Sequence, residues 1–209
     1  MNAQKDTRPF NLILLGDPAS GKGTQSARLA KKYGMYDLDM GKEVRKPAVA
    51  KLFDYAHTTA VGKLTPTKVV HSIFTRTILH TPAHRGIVFS GTPKMIGEAK
   101  LVARLLKKTG RRDPLFLYIT VPFAEALRRI GGRREYRNGK LLKRDDDNIR
   151  ALRNRSRYYR EQVSQVVKFF GARYEYKRIS GFGSRRQVGA RIDAAVAAHL
   201  KKHKGDAKR

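Results

Sequence analysis

Residues 16–25 read GDPASGKGTQ, a run suited to holding a phosphate group. Glycines let successive backbone N–H groups point at one anion, and a lysine among them can reach the β- and γ-phosphates of a nucleotide. Lys22 stands in that place. A hydroxyl on the first turn of the following helix can bind Mg2+. The run departs from G-x-x-x-x-G-K-[ST] in one respect: Gly23 follows the lysine and Thr24 comes one place late. A ligand-free glycine-rich turn is the competing reading, and the surroundings of the loop argue against it.

Such a loop works between a buried strand and a helix N-terminus, whose partial positive charge adds to the anion site. Phe10 to Leu15 is apolar and reads as that strand, and Gly21 to Lys32 reads as the helix, with Ala27, Leu29 and Ala30 on its apolar side. Short apolar runs then alternate with helical segments along the chain, the mark of an α/β fold with a parallel sheet. Further strands are expected at 36–40, 86–91, 115–121 and 174–180, the middle two being strongly apolar with β-branched and aromatic residues. Helices are expected at 66–80, 95–109, 122–132, 146–170 and 185–203. In the last, Val188, Ile192, Val196 and Leu200 recur at helical spacing and should pack on the sheet. His199 beside them reads as a packed or surface histidine rather than a ligand. Residues 135–147, EYRNGKLLKRDDD, are polar around an Asn-Gly pair, which suggests a hairpin-like insertion between two helices. Residues 201–209 form a basic tail, and no internal repeat is visible.

The 209 residues suit one domain with insertions, and 40% hydrophobic content with nine Phe and nine Tyr is enough for a sizeable core. The absence of cysteine excludes disulfides and thiolate metal sites. No apolar run approaches the ~20 residues of a membrane span. The opening MNAQKDTRPF lacks the pattern of a signal peptide, so a soluble, cytoplasmic protein without membrane contact is expected. Lys and Arg total 46 against 17 Asp and Glu, a net charge of +29. Such a field attracts polyanions, whether nucleotides, nucleic acid or anionic surfaces, unless it is a compositional bias with no partner.

GDPASGKGTQ followed by ARLAKKYG resembles the opening of adenylate kinase and its nucleoside monophosphate kinase relatives, which write G-K-G-T at this loop. The resemblance runs from about Phe10 to about Leu200. It implies a P-loop three-layer α/β/α core with a parallel five-stranded sheet, drawn from 1–38, 70–131 and 148–209. A small helical insert at about 39–69 would cover the monophosphate, and a short lid at about 132–147 would close over ATP. Ala19, Ser20, Gly21, Lys22, Gly23 and Thr24 would hold ATP, together with Arg129 and Arg133 from RRIGGRR (128–134). The monophosphate would lie against Met40, Gly41 and Arg45 from LDMGKEVR (38–45) and Lys63, Leu64 and Thr65 from GKLTP (62–66). Gly91 and Lys94 from SGTPK (90–94), then Glu98, complete that side, with Arg144 and Arg155 from KRDDDNIRALRNR (143–155). Lys22, Arg133, Arg144 and Arg155 are the implied catalytic set, gathered with Arg45 around the transferring phosphoryl group by lid closure. Arg150, Arg153, Arg157 and Arg160 read as a solvated basic face.

The implied reaction moves the γ-phosphoryl group of ATP to a nucleoside monophosphate, most simply AMP. Mg2+ would accompany ATP near Thr24 and Ser90, with no side chain ligating it directly. No general base is required, because the acceptor is an ionised phosphate oxygen. The lid carries neither Cys nor His, so zinc is not expected, and a monomer is. Departures from the family pattern fall on the acceptor side. Ser90 replaces an Asp that helps hold the hydration shell of Mg2+; Asp17 could compensate, or simply form a turn. Lys94 replaces an Arg, keeping charge but losing the paired geometry. Asp39, Met40 and Lys42 replace Ser, Thr and Asp. Glu98 replaces a Gln that reads adenine; a carboxylate only accepts, which suits guanine or the amino group of adenine alone. A surface Glu outside the pocket is the alternative. A second reading of function is a weakly active or inactive relative that binds nucleotide and associates with nucleic acid or ribonucleoprotein through its basic surface. Phosphate-clamping residues on scattered segments favour the enzyme, since a scaffold has no need of them.

Overall fold

Strands covered on both faces must be apolar on both, and β1 (Leu12–Gly16, LILLG) is buried throughout. The computed structural model describes residues 9–59, 63–132, 135–137, 140–142 and 149–203. In it β1 is the middle strand of a five-stranded sheet whose pairings are all parallel. The others are β2 (Tyr36–Asp39), β3 (Ile87–Ser90) and β4 (Leu115–Thr120), then β7 (Tyr176–Ser180) at the far edge. Their order is β2-β3-β1-β4-β7. β5 (Glu135–Arg137) and β6 (Lys140–Leu142) make a separate antiparallel pair, as the polar Asn-Gly segment led one to expect.

Alternate strand residues serve opposite layers. Ile13, Leu15, Leu38, Phe89 and Phe116 point to one face, where they meet α4 (Thr67–His80), α5 (Ile96–Lys108) and α8 (Ser164–Gly171) through Phe74, Val102 and Phe170. Leu12, Leu14, Val88, Leu117 and Ile119 point to the other, under α1 (Lys22–Tyr33) and α9 (Arg185–Lys202) through Leu29, Ile192 and Val196. Two short helices, α2 (Met40–Arg45) and α3 (Pro47–Ala50), follow β2, and α6 (Phe123–Gly132) follows β4. The chain builds β2 and β3 on one side of β1 and then crosses to β4 and β7 on the other. The loop after β1 therefore opens where the strand order reverses, the place in such sheets where ligands bind.

Two expectations need correction. On α1 the buried residues are Gln25, Ser26, Leu29 and Ala30, and Ala27 is exposed. The buried polar pair has partners that replace water: Gln25 Nε2 donates to Arg185 O at 3.0 Å, and Ser26 Oγ to Gly23 O at 3.2 Å. The single helix expected at 146–170 is α7 (Ile149–Tyr158) and α8 joined by a π-helical turn, Tyr159–Val163. That wider turn changes the facing between α7, which is rich in arginine, and α8, which buries Val166 and Phe170 in the core. Residues 146–148 lie outside the described residues.

Candidate active site

The phosphate loop is shaped by its backbone. Gly16 closes β1 against β4, and a β-carbon there would collide with the backbone of Ile119. Gly21, at φ +87°, is the N-cap of α1, a conformation glycine adopts without strain. Asp17 fastens the loop to the end of β4. Its Oδ1 accepts from Tyr118 OH at 2.8 Å and its Oδ2 from Val121 N at 2.8 Å, while its own N–H donates to Ile119 O at 2.9 Å. The acid is thus a loop anchor with both oxygens engaged, which supports the turn-forming reading over the metal-binding one. Burial and this hydrogen bond push the Tyr118 phenol far above its ordinary value, so it stays a donor.

Lys22 lies back along the loop. Its Nζ donates to Gly16 O and Asp17 O, each at 2.8 Å, and to Ser20 Oγ at 3.4 Å. The ammonium is therefore held at the mouth of the loop, above the N-terminus of α1. Around it is a cavity of about 550 Å³ lined by Ala19 to Gln25 on one side, and by Arg128, Arg129, Gly132 and Gly183 to Arg185 on the other. Its size falls in the range of small-molecule sites, ~300–1,000 Å³.

Arg129, on α6, is fixed in that wall. Its guanidinium donates to Glu125 Oε1 at 2.7 Å, Gly181 O at 2.9 Å and Ala19 O at 3.5 Å. Arg128 grips the same carboxylate with two hydrogen bonds of 2.8 Å. Arg128 and then Arg129 hold the Glu125 carboxyl down at about 2, against the opposing effect of desolvation. The turn from β7 into α9 closes the wall. Arg191 Nη1 donates to Ser180 O and Phe182 O, at 2.9 and 2.7 Å, and Ser184 and Gln187 cap α9 reciprocally. In the sequence this turn is marked only by S-x-x-Q before an apolar run (Ser184 to Gln187), a capping signal. A larger cavity of about 1,000 Å³ lies beside Asp17 and Pro18, lined among others by Tyr118, Arg153 and Arg178. It contains none of Lys22, Gly23 and Thr24, so the smaller one fits a nucleotide phosphate chain.

Two of the segments expected to hold the acceptor, around Gly91 and around Asp39, reach the phosphate loop at the same edge of the sheet. Gly91 follows β3 at φ +66°, and a β-carbon on it would lie 3.5 Å from Lys22 Cε. Asp39 ends β2 in register with Ser90 at the end of β3. Its Oδ1 accepts from Lys42 N at 3.1 Å, capping α2, and its Oδ2 faces Gly23, 3.5 Å from where a β-carbon would stand. Gly41 lets the Arg45 guanidinium close in, since a β-carbon there would be 3.3 Å from Nη1 and 3.1 Å from Asp39 Oδ1. Met40, expected against the monophosphate, has its side chain buried in the core cluster that includes Leu38 and Val44. Thr65 and Leu64 are half-buried and Lys63 is exposed, with Thr65 Oγ1 2.8 Å from Thr59 Oγ1.

Glu98 is buried, which rules out a surface position. Its Oε2 accepts from Lys94 N at 2.8 Å and from Met95 N at 3.3 Å, closing the N-terminus of α5. Of the expected arginines, Arg133 and Arg144 lie outside the described residues. Arg155 falls within α7, with its side chain outside them.

A sequence model of the adenylate kinase family matches residues 14–175, from inside β1 to just short of β7. The chain belongs to the adenylate kinase family. It is 33% identical over 189 residues to an adenylate kinase of Thermus thermophilus, covering 88% of this chain and 96% of that protein. It is 27% identical over 191 residues to the adenylate kinase of Phocaeicola vulgatus, covering 90% and 98%, and 28% identical over 187 residues to that of Archaeoglobus fulgidus, covering 77% and 86%. As an adenylate kinase family member the protein is a phosphotransferase acting on nucleoside monophosphates. These likenesses lend no support to the reading as an inactive, nucleic-acid-associated relative. Among the described residues no helix is long and apolar enough to cross a membrane.

Proposed function

We propose that this adenylate kinase relative transfers the γ-phosphoryl group of ATP to AMP, giving two molecules of ADP. The observation that supports this reading is the approach of Gly91 to Lys22 at the C-terminal edge of the sheet, which would set the segment expected to hold the acceptor beside the phosphate-loop lysine. Phosphoryl transfer needs two nucleotides in line and positive charge around the moving group, with little covalent work from the protein. ATP would lie in the cavity beside Arg129, its phosphates on the N–H groups of Ala19 to Thr24. Lys22 would exchange its bonds to loop carbonyls for the β- and γ-phosphates. AMP would approach from Gly41, Arg45 and Lys63 to Thr65, with its phosphate toward Lys94. We assign the segment at about 39–69 to cover it and that at about 132–147 to close over ATP, bringing Arg133, Arg144 and Arg155 to the phosphates. The acceptor carries the name of the relatives, adenylate kinase.

Mg2+ bound with ATP would supply charge neutralisation between the β- and γ-phosphates. The donor set at this edge fits it. Thr24 offers an exposed hydroxyl on the first turn of α1, and the Asp39 carboxylate faces Gly23 one strand away from Ser90. Asp39 would accept hydrogen bonds from metal-bound water there, a part Ser90 cannot play as an anion.

A coupled assay of ADP formation with AMP, GMP, CMP and UMP tests the reading. Turnover with AMP well above a Lys22→Ala control is expected. Turnover with none of the four above that control would overturn it, and preference for GMP would keep the kinase and move the acceptor.

A further inference from the structure

Away from the nucleotide cleft, at the opposite edge of the sheet, three metal-ligating side chains meet. Glu175 immediately precedes β7, and His199 and His203 stand one turn apart at the end of α9, so the two rings share a face. One donor atom from each lies within 4.8 Å of the others. Glu175 Oε2 is 2.9 Å from His199 Nδ1 and 3.9 Å from His203 Nε2, and the two rings are 4.6 Å apart, centre to centre. We propose that Glu175, His199 and His203 bind a divalent transition-metal ion, with Zn2+ the best match to the donor set.

Tetrahedral zinc with bonds of ~2.0–2.2 Å to nitrogen and oxygen places its ligand atoms roughly 3.3–3.5 Å apart. The separations of 2.9 and 3.9 Å bracket that value, so the donors already stand near the spacing one ion requires. Two imidazoles and one carboxylate leave a fourth position for water, the arrangement of three-ligand zinc sites. The site is graded toward solvent, with side-chain exposures of 7% for His199, 19% for Glu175 and 37% for His203, which gives an ion a path in. Lys177 Nζ, 3.8 Å from Glu175 Oε1, works against a cation. That neighbour disfavours Mg2+ and Ca2+, which depend on several oxygen donors, more than an ion bound through imidazole nitrogen. The expectation of no zinc rests on a lid without Cys or His; these three groups come together only through the packing of β7 against α9. The ion would pin the end of α9 to the sheet, far from the phosphate loop, so the proposal stands or falls apart from the kinase reading.

The test uses the untagged, chelator-stripped full chain, titrated calorimetrically with ZnCl2 and, for contrast, MgCl2. Uptake of one equivalent of Zn2+ without competition from Mg2+ is expected. Co2+ should give the intense visible absorption of a four-coordinate site. His203→Ala, at a partly exposed position, should lower affinity by at least the roughly tenfold seen on loss of an outer-sphere partner. At ~100 Kd of metal the melting temperature should rise by roughly 5–10 °C in the native chain and not in the variant. Glu175→Gln should behave as His203→Ala does. Absence of one-equivalent uptake, or uptake that both variants retain unchanged, overturns the proposal.

Discussion

Replacing Asp17 by Ala should cost more stability than its half-buried position alone suggests, because two donors lose their acceptor at once. Tyr118 OH and Val121 N each meet a carboxylate oxygen at 2.8 Å. Hydrogen bonds to a charged group contribute about 1.5–3 kcal/mol each, and partial exposure argues for the lower end, so the pair is worth about 3 kcal/mol. For a chain of this size each kcal/mol moves the melting temperature by roughly 2–4 °C, which predicts a fall of roughly 6–12 °C. Tyr118→Phe removes one of the two bonds and should cost about half as much. In Asp17→Ala/Tyr118→Phe the shared bond is counted once, so the double variant should be more stable than the sum of the singles by about 1.5 kcal/mol. Calorimetry on the four proteins measures this cycle. The same substitution frees the loop to shift against β4, and a displacement of ~1 Å near reacting groups can cost about 100-fold in rate, so kcat/KM for ATP should fall as well. Additive single effects, or a melting temperature unchanged in Asp17→Ala, would refute the anchoring role.

Three further outcomes follow from the geometry. Asp39→Asn should leave stability within about 0.5 kcal/mol, since Asn caps a helix as well as Asp, yet raise the Mg2+ concentration for half-maximal rate and weaken MgATP more than metal-free ATP in calorimetry. Equal weakening of both would remove Asp39 from the metal's surroundings. Glu98→Gln keeps an oxygen for Lys94 N and Met95 N, so the melting temperature should change by only a few degrees while relative rates with AMP and GMP shift toward AMP; unchanged relative rates would leave Glu98 a helix cap alone. His199 has its folded value below the unfolded ~6.5 because burial disfavours the imidazolium, an effect only partly offset by Glu175. Its contribution is complete above about pH 6.5 and is lost as pH falls toward the folded value, so the melting temperature of the chelator-stripped chain should drop over that window. The Glu175 carboxyl is held below its ordinary range, where this window does not reach, and His199→Gln should therefore flatten the profile.

What the residues disclosed in advance was whatever chemistry is local. A phosphate loop works through backbone N–H groups and one lysine, and strand, loop and helix follow one another within residues 10–33, so GDPASGKGTQ located the donor side at once. The sheet was legible because strands such as LFLYIT, covered on both faces, must be almost wholly apolar. Features set by distant partners were not legible. Gln25 looks like a surface residue until Arg185 and Arg28 arrive to satisfy its amide. The Glu98 cap was masked because Met95, a residue with no capping side chain of its own, precedes α5. The π turn at Tyr159–Val163 comes without Gly or Pro, so the long basic segment read as one unbroken helix.

The clamp between α1 and α9 has a consequence for how the protein comes into being. Arg28 meets Asp193 through two hydrogen bonds of 2.9 Å across 165 residues of chain, and Gln25 reaches Arg185 across 160. During synthesis the phosphate loop leaves the ribosome well before α9, and the helix behind it gains these partners only after some 160 further residues have emerged. A nascent chain halted before α9 would carry the complete loop sequence and lack the braces of the helix that aims it. The first functional element to be written thus waits for its braces until α9 has followed it.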